Sequence, residues 1–283
     1  MHQLATVAEI REAVRIARAD GKGIGFVPTM GFLHEGHLRL VDEARNRAGC
    51  VVMSLFVNPT QFGPNEDFSR YPRDLAGDSE KARQRGVDLL FVPEVNEIYP
   101  VAPTVRVTAD DLPERWEGSI RPGHFAGVLT VVAKLFNIVG PDVAVFGRKD
   151  FQQASLIRRM VRELHMPLEI VVSRTVRERD GLAMSSRNTY LDAATRQDAL
   201  ALVGSLRAAA RAFEAGERSG TRLTSAGRES FAAYREVAID YFAVVDPVHM
   251  REVDTASADS VAIVAARVGK TRLIDNMILG DRE

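Results

Sequence analysis

Apolar positions in the first 174 residues alternate between two periods. Thr6 and Glu9 stand at capping-box spacing ahead of a 3.6-residue apolar repeat that runs to Ala19, which predicts a helix. Residues 23–28 form a short apolar strand. Residues 35–48 place Leu38, Val41 and Ala44 on one helical face. Residues 50–57 are an apolar run of the kind a strand shows when both its faces are buried. The same alternation continues with helices at 74–85, 127–139 and 150–164 and strands at 87–92, 143–146 and 168–173. Short buried strands separated by helices predict a parallel sheet with right-handed crossovers.

The segment 93–122 interrupts the pattern. It carries Pro93, Pro100, Pro103, Pro113 and Pro122 together with the single tryptophan, Trp116, and reads as an excursion over the mouth of the sheet. Beyond Thr175 the texture changes. A polar loop at 177–188 precedes helices at 193–215 and 221–237, and strand-like runs follow at 239–245, 260–267 and 271–275. The expected fold is α/β, with a parallel-sheet domain over 1–174 and a smaller α+β domain over 175–283.

Composition narrows the functional classes. The 283 residues are 46% hydrophobic with a net charge of −1, which supports a sizeable core and argues against nucleic acid as a partner. Cys50 is the single cysteine, so an intrachain disulfide is excluded, and a lone thiol in an apolar run fits a core residue in a reducing compartment. Residues 1–18 mix acids and bases without the apolar stretch of a signal peptide, and no segment approaches the roughly 20 apolar residues that span a bilayer. A cytoplasmic protein with no membrane partner is expected.

Three strand-to-helix turns or loops carry candidate chemistry. In Pro28-Thr29-Met30-Gly31-Phe32-Leu33-His34-Glu35-Gly36-His37, two glycines allow close backbone approach to a ligand, and His34 and His37 share one face of a first helical turn. Backbone N–H groups and the dipole of a helix N-terminus there favour phosphate. Two unrelated surface histidines would give the same spelling, and a zinc site ranks behind both for want of a third ligand. In Phe146-Gly147-Arg148-Lys149-Asp150, Lys149 is a point charge for phosphate, whereas Asp150 with Gln153 also fits plain helix capping. In Gly181-Leu182-Ala183-Met184-Ser185-Ser186-Arg187-Asn188, Arg187 suits a loop that neutralises developing charge, or an ordinary interdomain loop.

Taken together, the three elements resemble the signature turns of the nucleotidyltransferase superfamily. The blocks PTMGFLHEGH, FVNPTQF, YPRDL, RPGHFAGVLTVVAKLFNIVGPDVAVFGRKDFQQ, DGLAMSSRNTYL and RLIDN resemble the pantothenate synthetase (pantoate–β-alanine ligase) family over nearly the whole chain. That resemblance implies a Rossmann-like first domain with the second as a lid. It also implies ATP-dependent condensation of (R)-pantoate with β-alanine through a pantoyl-adenylate, with magnesium accompanying ATP. A homodimer is implied as the working form, with the apolar run at 51–57 as one candidate interface. Carried over residue by residue, Met30, Gly31, His34, His37, Gly147, Arg148, Lys149, Asp150, Val176, Met184, Ser185, Ser186 and Arg187 would contact ATP. His37, His34, Lys149 and Arg187 would be the catalytic groups among them. Gln61 and Gln153 would bind pantoate, Gln61 would also lie beside β-alanine, and no residue is expected to be a dedicated metal ligand. Tyr71 is a weaker candidate for the same pocket, and His124 is expected to be structural or at its rim. Arg148 and Arg179 depart from the family pattern, which more often has an uncharged or acidic residue at the first position and a small one at the second. Two other classes share the histidine turn: a transferase that keeps AMP on its product, and a non-catalytic nucleotide sensor.

Overall fold

The computed structural model describes residues 1–64 and 66–281. The chain divides into two compact units, one of Met1–Gly147 with Leu156–Arg174, the other of Arg148–Ser155 with Thr175–Glu283. None of its described helices is long and apolar enough to cross a membrane.

The first unit is an α/β layer structure. Strands β1 (His2–Leu4), β2 (Ile24–Thr29), β3 (Cys50–Leu55), β4 (Leu89–Phe91), β5 (Val143–Gly147) and β6 (Glu169–Ser173) form one sheet. Its order is β1-β4-β3-β2-β5-β6 and every pairing is parallel. The predicted parallel sheet is therefore present. From β2 the chain builds outward through β3 and β4, then returns to the other side of β2 for β5 and β6. The strand order thus reverses between β2 and β5, the place where open α/β sheets leave a crevice at their carboxyl ends.

Helices α1 (Val7–Ala19), α2 (Glu35–Arg45) and α3 (Leu75–Gln84) alternate with the strands as the periodicity predicts. The α1 capping box forms in full, with Glu9 N donating to Thr6 Oγ1 at 3.2 Å and Thr6 N to Glu9 Oε2 at 2.9 Å. All six residues of β3 are buried, which explains their apolar run. β3 lies between β4 and β2 inside one sheet, so its six residues are covered within the chain itself.

The excursion holds two single helical turns, α4 (Val95–Ile98) and α5 (Glu117–Ile120), and is tied to the next helix by Val107 N donating to Thr130 Oγ1 at 3.0 Å. That helix, α6 (His124–Val139), starts three residues before the predicted 127 because Gly123, at φ +80°, turns the chain into it. It is apolar on nearly every face and correspondingly interior. Helix α7 (Phe151–Glu163) follows β5 through a 3₁₀ turn at Arg148–Asp150. The edge strand β1 has no counterpart in the prediction. Its three residues are too few for an apolar period to register, and pairing with β4 alone defines it.

In the second unit, α8 (Ala193–Glu214) and α9 (Gly220–Glu229) cover an antiparallel sheet of β7 (Val237–Val245), β8 (Val261–Val268) and β9 (Thr271–Ile278). The helix expected over 221–237 instead ends at Glu229, gives a 3₁₀ turn at Ser230–Ala233, and passes into β7. Ser230 Oγ donates back to Gly227 O at 2.8 Å, a local bond that competes with helix continuation. Leu202, Leu206 and Phe213 of α8 pack with Phe242, Val264, Leu273 and Met277 of the strands.

Candidate functional site

At the carboxyl end of β2 the chain makes an unusual turn. Gly31 and Phe32 both have positive φ, +84° and +53°, and only the first is a glycine. Asp78 of α3 holds this path: its two carboxylate oxygens accept from Phe32 N and Leu33 N, each at 2.6 Å. Lys81, one turn further along α3, donates to Leu33 O at 2.8 Å. A Cβ at Gly31 would stand 3.0 Å from Asp78 Oδ2, so the bare backbone suits the close approach.

His34 and His37 then cap α2. Gly36 N donates to His34 Nδ1 at 3.2 Å, and His34 N donates to His37 Nδ1 at 3.4 Å. The imidazole rings lie 4.1 Å apart between centroids. Since backbone N–H groups can only donate, both Nδ1 atoms act as acceptors, and the proton of each neutral ring sits on Nε2. Each ring therefore has Nε2–H as its donor, at the positive end of a helix.

After β3, Gln61 comes beside this turn, with Nε2 3.1 Å from Met30 Sδ. Its carboxamide is fixed by Asn58, whose Nδ2 donates to Gln61 Oε1 at 3.1 Å and to Gly127 O at 3.2 Å. Asn58 is 1% exposed and its Oδ1 accepts from Tyr99 Oη at 3.0 Å. The closeness of α6 makes this possible, for a Cβ at Gly127 would stand 2.3 Å from Thr60 O. Asn58 lies inside the block FVNPTQF but has no period or charge that marks it in the sequence. Its position at the N-cap of a 3₁₀ turn beginning with Pro59 was the available signal.

The backbone of Gln61 is held as well. His124 Nδ1 lies 2.8 Å from Gln61 O, and Arg121 Nη1 lies 3.0 Å from His124 Nε2. A carbonyl only accepts and a guanidinium only donates, so His124 is neutral with its proton on Nδ1. Burial, reinforced by the Arg121 charge, lowers its pKa from 6.5 to about 4. Glu66 closes the cluster by accepting from Arg121 Nε at 2.7 Å and Nη2 at 2.6 Å. Burial alone would raise the Glu66 carboxyl, but Arg121 outweighs it and the net shift is downward. The neighbouring Tyr71 is buried, with its ring 6.0 Å from that of Phe62.

Of the remaining candidates, Gly147 closes β5 in the first unit and the others fall in the second. Lys149 and Asp150 sit in the 3₁₀ turn after Gly147, and Gln153 lies in the first turn of α7. Arg148, the departure from the family pattern, has a protein partner: its Nη1 donates to Asp281 Oδ2 at 2.5 Å. Residues 176–184 form a hairpin, with Met184 N donating to Val176 O at 2.9 Å and Glu178 N to Leu182 O at 2.8 Å. Gly181, at φ +95°, makes its turn. Ser185 then caps the 3₁₀ segment Ser186–Tyr190 by accepting from Arg187 N at 3.3 Å. Asn188 Nδ2 fastens that segment to Glu178 Oε1 at 2.7 Å and Ala183 O at 3.0 Å. The expected loop is thus an ordered hairpin joined to a short helix, and Arg179 is exposed on it.

A parallel sheet whose strand order reverses beside a histidine-capped helix defines a doubly wound α/β protein, a class whose ligands bind at the carboxyl ends of the strands. Residues 2–278 match the pantoate-beta-alanine ligase family model, and the chain belongs to that family. A pantothenate synthetase from Acidobacterium capsulatum is 51% identical, with 99% of this chain and 98% of the relative aligned. The crystal structure of the pantothenate synthetase from Thermus thermophilus superposes with a TM-score of 0.95 at 48% identity, covering 99% of this chain and all of that one. The pantoate-beta-alanine ligase of Francisella tularensis, complexed with beta-gamma ATP and beta-alanine, gives a TM-score of 0.80 at 31% identity, covering 100% of this chain and 99% of that one.

The His124 cluster predicts a pH dependence of stability. A folded-state pKa depressed from 6.5 to about 4 means that the unfolded chain binds the extra proton first. The stabilisation is therefore complete above pH 6.5 and is lost as pH falls towards 4, by at most about 3 kcal/mol at roughly 1.4 kcal/mol per unit. His124→Asn keeps a donor for Gln61 O and removes the titration. Urea unfolding between pH 7 and 4 should show a flatter pH slope for the variant than for the parent protein. Equal slopes would exclude His124 as the group responsible.

Proposed function

We propose that this pantoate–β-alanine ligase works in two steps. The carboxylate of (R)-pantoate attacks the α-phosphorus of ATP and pyrophosphate leaves. The neutral amine of β-alanine then attacks the carbonyl of the pantoyl-adenylate and AMP leaves. The product, pantothenate, is a precursor of coenzyme A. A carboxylate is already a competent nucleophile, so the protein's contribution is placement and charge stabilisation rather than covalent chemistry.

The observation that carries this reading is the histidine pair, whose rings stand 4.1 Å apart at a helix N-terminus, on the turn whose Met30 meets the Gln61 carboxamide. In the proposed roles His34 and His37 donate to phosphate oxygens as charge moves onto pyrophosphate. Lys149 and Arg187 neutralise the same developing charge. Met30, Gly31, Gly147, Arg148, Asp150, Val176, Met184, Ser185 and Ser186 complete the nucleotide contacts. Gln61 and Gln153 hold pantoate, since a carboxamide can both donate to its carboxylate and accept from its hydroxyls. Gln61 also lies beside β-alanine. The Francisella relative is complexed with beta-gamma ATP and beta-alanine, which supports ATP and β-alanine as ligands of this chain.

Magnesium would arrive with ATP and lower the charge on its phosphates. Asp78, the acid bonded to the histidine turn, already uses both oxygens on backbone N–H groups, so phosphate oxygens and water are the fitting ligands. The buried free thiol of Cys50 suits a cytoplasmic location. A homodimer is proposed from family resemblance, and sedimentation showing only monomer at working concentration would remove it.

Two measurements test the chemistry. Pantoate labelled with ¹⁸O in its carboxylate should pass one labelled oxygen to AMP, because that oxygen bridges carbon and phosphorus in the adenylate and stays on phosphorus when the amine attacks carbon. Unlabelled AMP, or release of ADP with label in inorganic phosphate, would overturn the adenylate route. His37→Ala should lower kcat by about 10²–10³ through loss of one transition-state donor. A near-normal kcat in a folded variant would take His37 out of the mechanism.

A further inference from the structure

The block Arg272-Leu273-Ile274-Asp275-Asn276 has no role in the reaction as described above, yet its last two residues are nearly inaccessible, at 4% and 3% exposure. Both lie on β9, where successive side chains point to opposite faces. Asp275 is in step with Leu273 and Met277, which belong to the apolar core, so a carboxylate there requires a partner. Arg177 supplies it, with Nη1 to Oδ2 at 2.6 Å and Nη2 to Oδ1 at 3.3 Å. The same guanidinium donates to Gly181 O at 3.2 Å and to Asn276 O at 3.3 Å. Arg177 is part of the hairpin that delivers Met184, Ser185, Ser186 and Arg187, so the ion pair fastens that hairpin to the strand. Burial pushes the Asp275 carboxyl up, and the Arg177 guanidinium and the charge of Lys149 oppose the shift.

Asn276 faces the other way and holds a different segment. Its Nδ2 donates to Arg148 O at 2.9 Å and to Lys149 O at 2.8 Å. Both partners are carbonyls, which only accept, so the amide orientation is fixed and both of its N–H groups are committed. Its Oδ1 is buried and has no hydrogen-bond partner among the described residues. An apolar residue of the same size would avoid that cost but would leave two carbonyls of one turn unheld.

We infer that Asp275 and Asn276 are positioning residues, holding from opposite faces of β9 the two segments that bear Lys149 and Arg187. The inference rests on the proposed roles of those two residues at the ATP phosphates. Neither Asp275 nor Asn276 touches the substrate; each acts through the backbone it holds.

Asn276→Ala should lower kcat by about 10–100-fold, as expected when two hydrogen bonds that orient a charged group are lost. The urea midpoint should also fall, because two carbonyls lose their donor, and backbone hydrogen exchange should speed up across residues 147–151. Asn276→Ser, with one hydroxyl donor for two carbonyls, should fall between Ala and the parent, and it serves in place of Ala should Ala not fold. In a Lys149→Ala background the Asn276→Ala change should cost almost nothing more in kcat, because its effect passes through Lys149. Undiminished cost in that background, or unchanged kcat and exchange in a folded Asn276→Ala protein, would overturn the role. Asp275→Asn should speed exchange across 176–184, and unchanged exchange there would overturn its half of the inference. If Lys149→Ala alone turns over normally, the assignment of Lys149 to phosphate fails, and the exchange measurements still decide whether β9 holds the turn.

Discussion

Two consecutive backbone angles of positive φ, at Gly31 and Phe32, are held in place by the pair of bonds from Phe32 N and Leu33 N to the buried Asp78 carboxylate. A non-glycine residue in that region costs on the order of 1 kcal/mol, so the path needs an external anchor. With it in place the chain leaves β2 and enters α2 with His34 as the N-cap and His37 in the first turn. The paired rings, their common tautomer and their meeting with the helix dipole all follow from that entry. The same turn carries Met30, whose sulfur meets the Gln61 amide.

Protonation around the first-unit residues is set by which atoms the surrounding groups can offer. Backbone N–H groups press on Nδ1 of His34 and His37 and leave the proton on Nε2. At His124 the order is reversed, with a carbonyl claiming Nδ1–H and Arg121 occupying Nε2. Three histidines within one unit thus serve two purposes. The first two accept backbone N–H groups at Nδ1 in the cap of α2, while the third is a buried neutral strut that holds the Gln61 backbone. Residue type alone does not distinguish the two uses.

A comparable economy operates in the second unit. One strand carries a carboxylate on its core side and an amide on its other side, and each holds a loop that is remote in sequence. Arg148 follows the same logic. Its guanidinium is engaged by Asp281 while its carbonyl is engaged by Asn276.

Much of this architecture was legible from local pattern. The buried run at 50–55, the Thr6–Glu9 capping box, the alternation of short strands with helices and the placing of both histidines on one helical turn all express periods of two or 3.6 residues, which the chain carries within a few positions. Family resemblance added roles for Gln61, Lys149 and Arg187, but no partners to hold them. What tertiary structure alone decided was the set of anchors: Asp78 for the histidine turn, 45 residues distant from Leu33, and Asn276 for the lysine turn, 127 residues distant from Lys149. It likewise decided that β1 pairs with β4 and that the helix after Ser219 stops at Glu229. Hydrogen bonds between distant segments leave no period in the sequence, because their donors and acceptors are common residue types whose meaning is set only by what the fold brings opposite them.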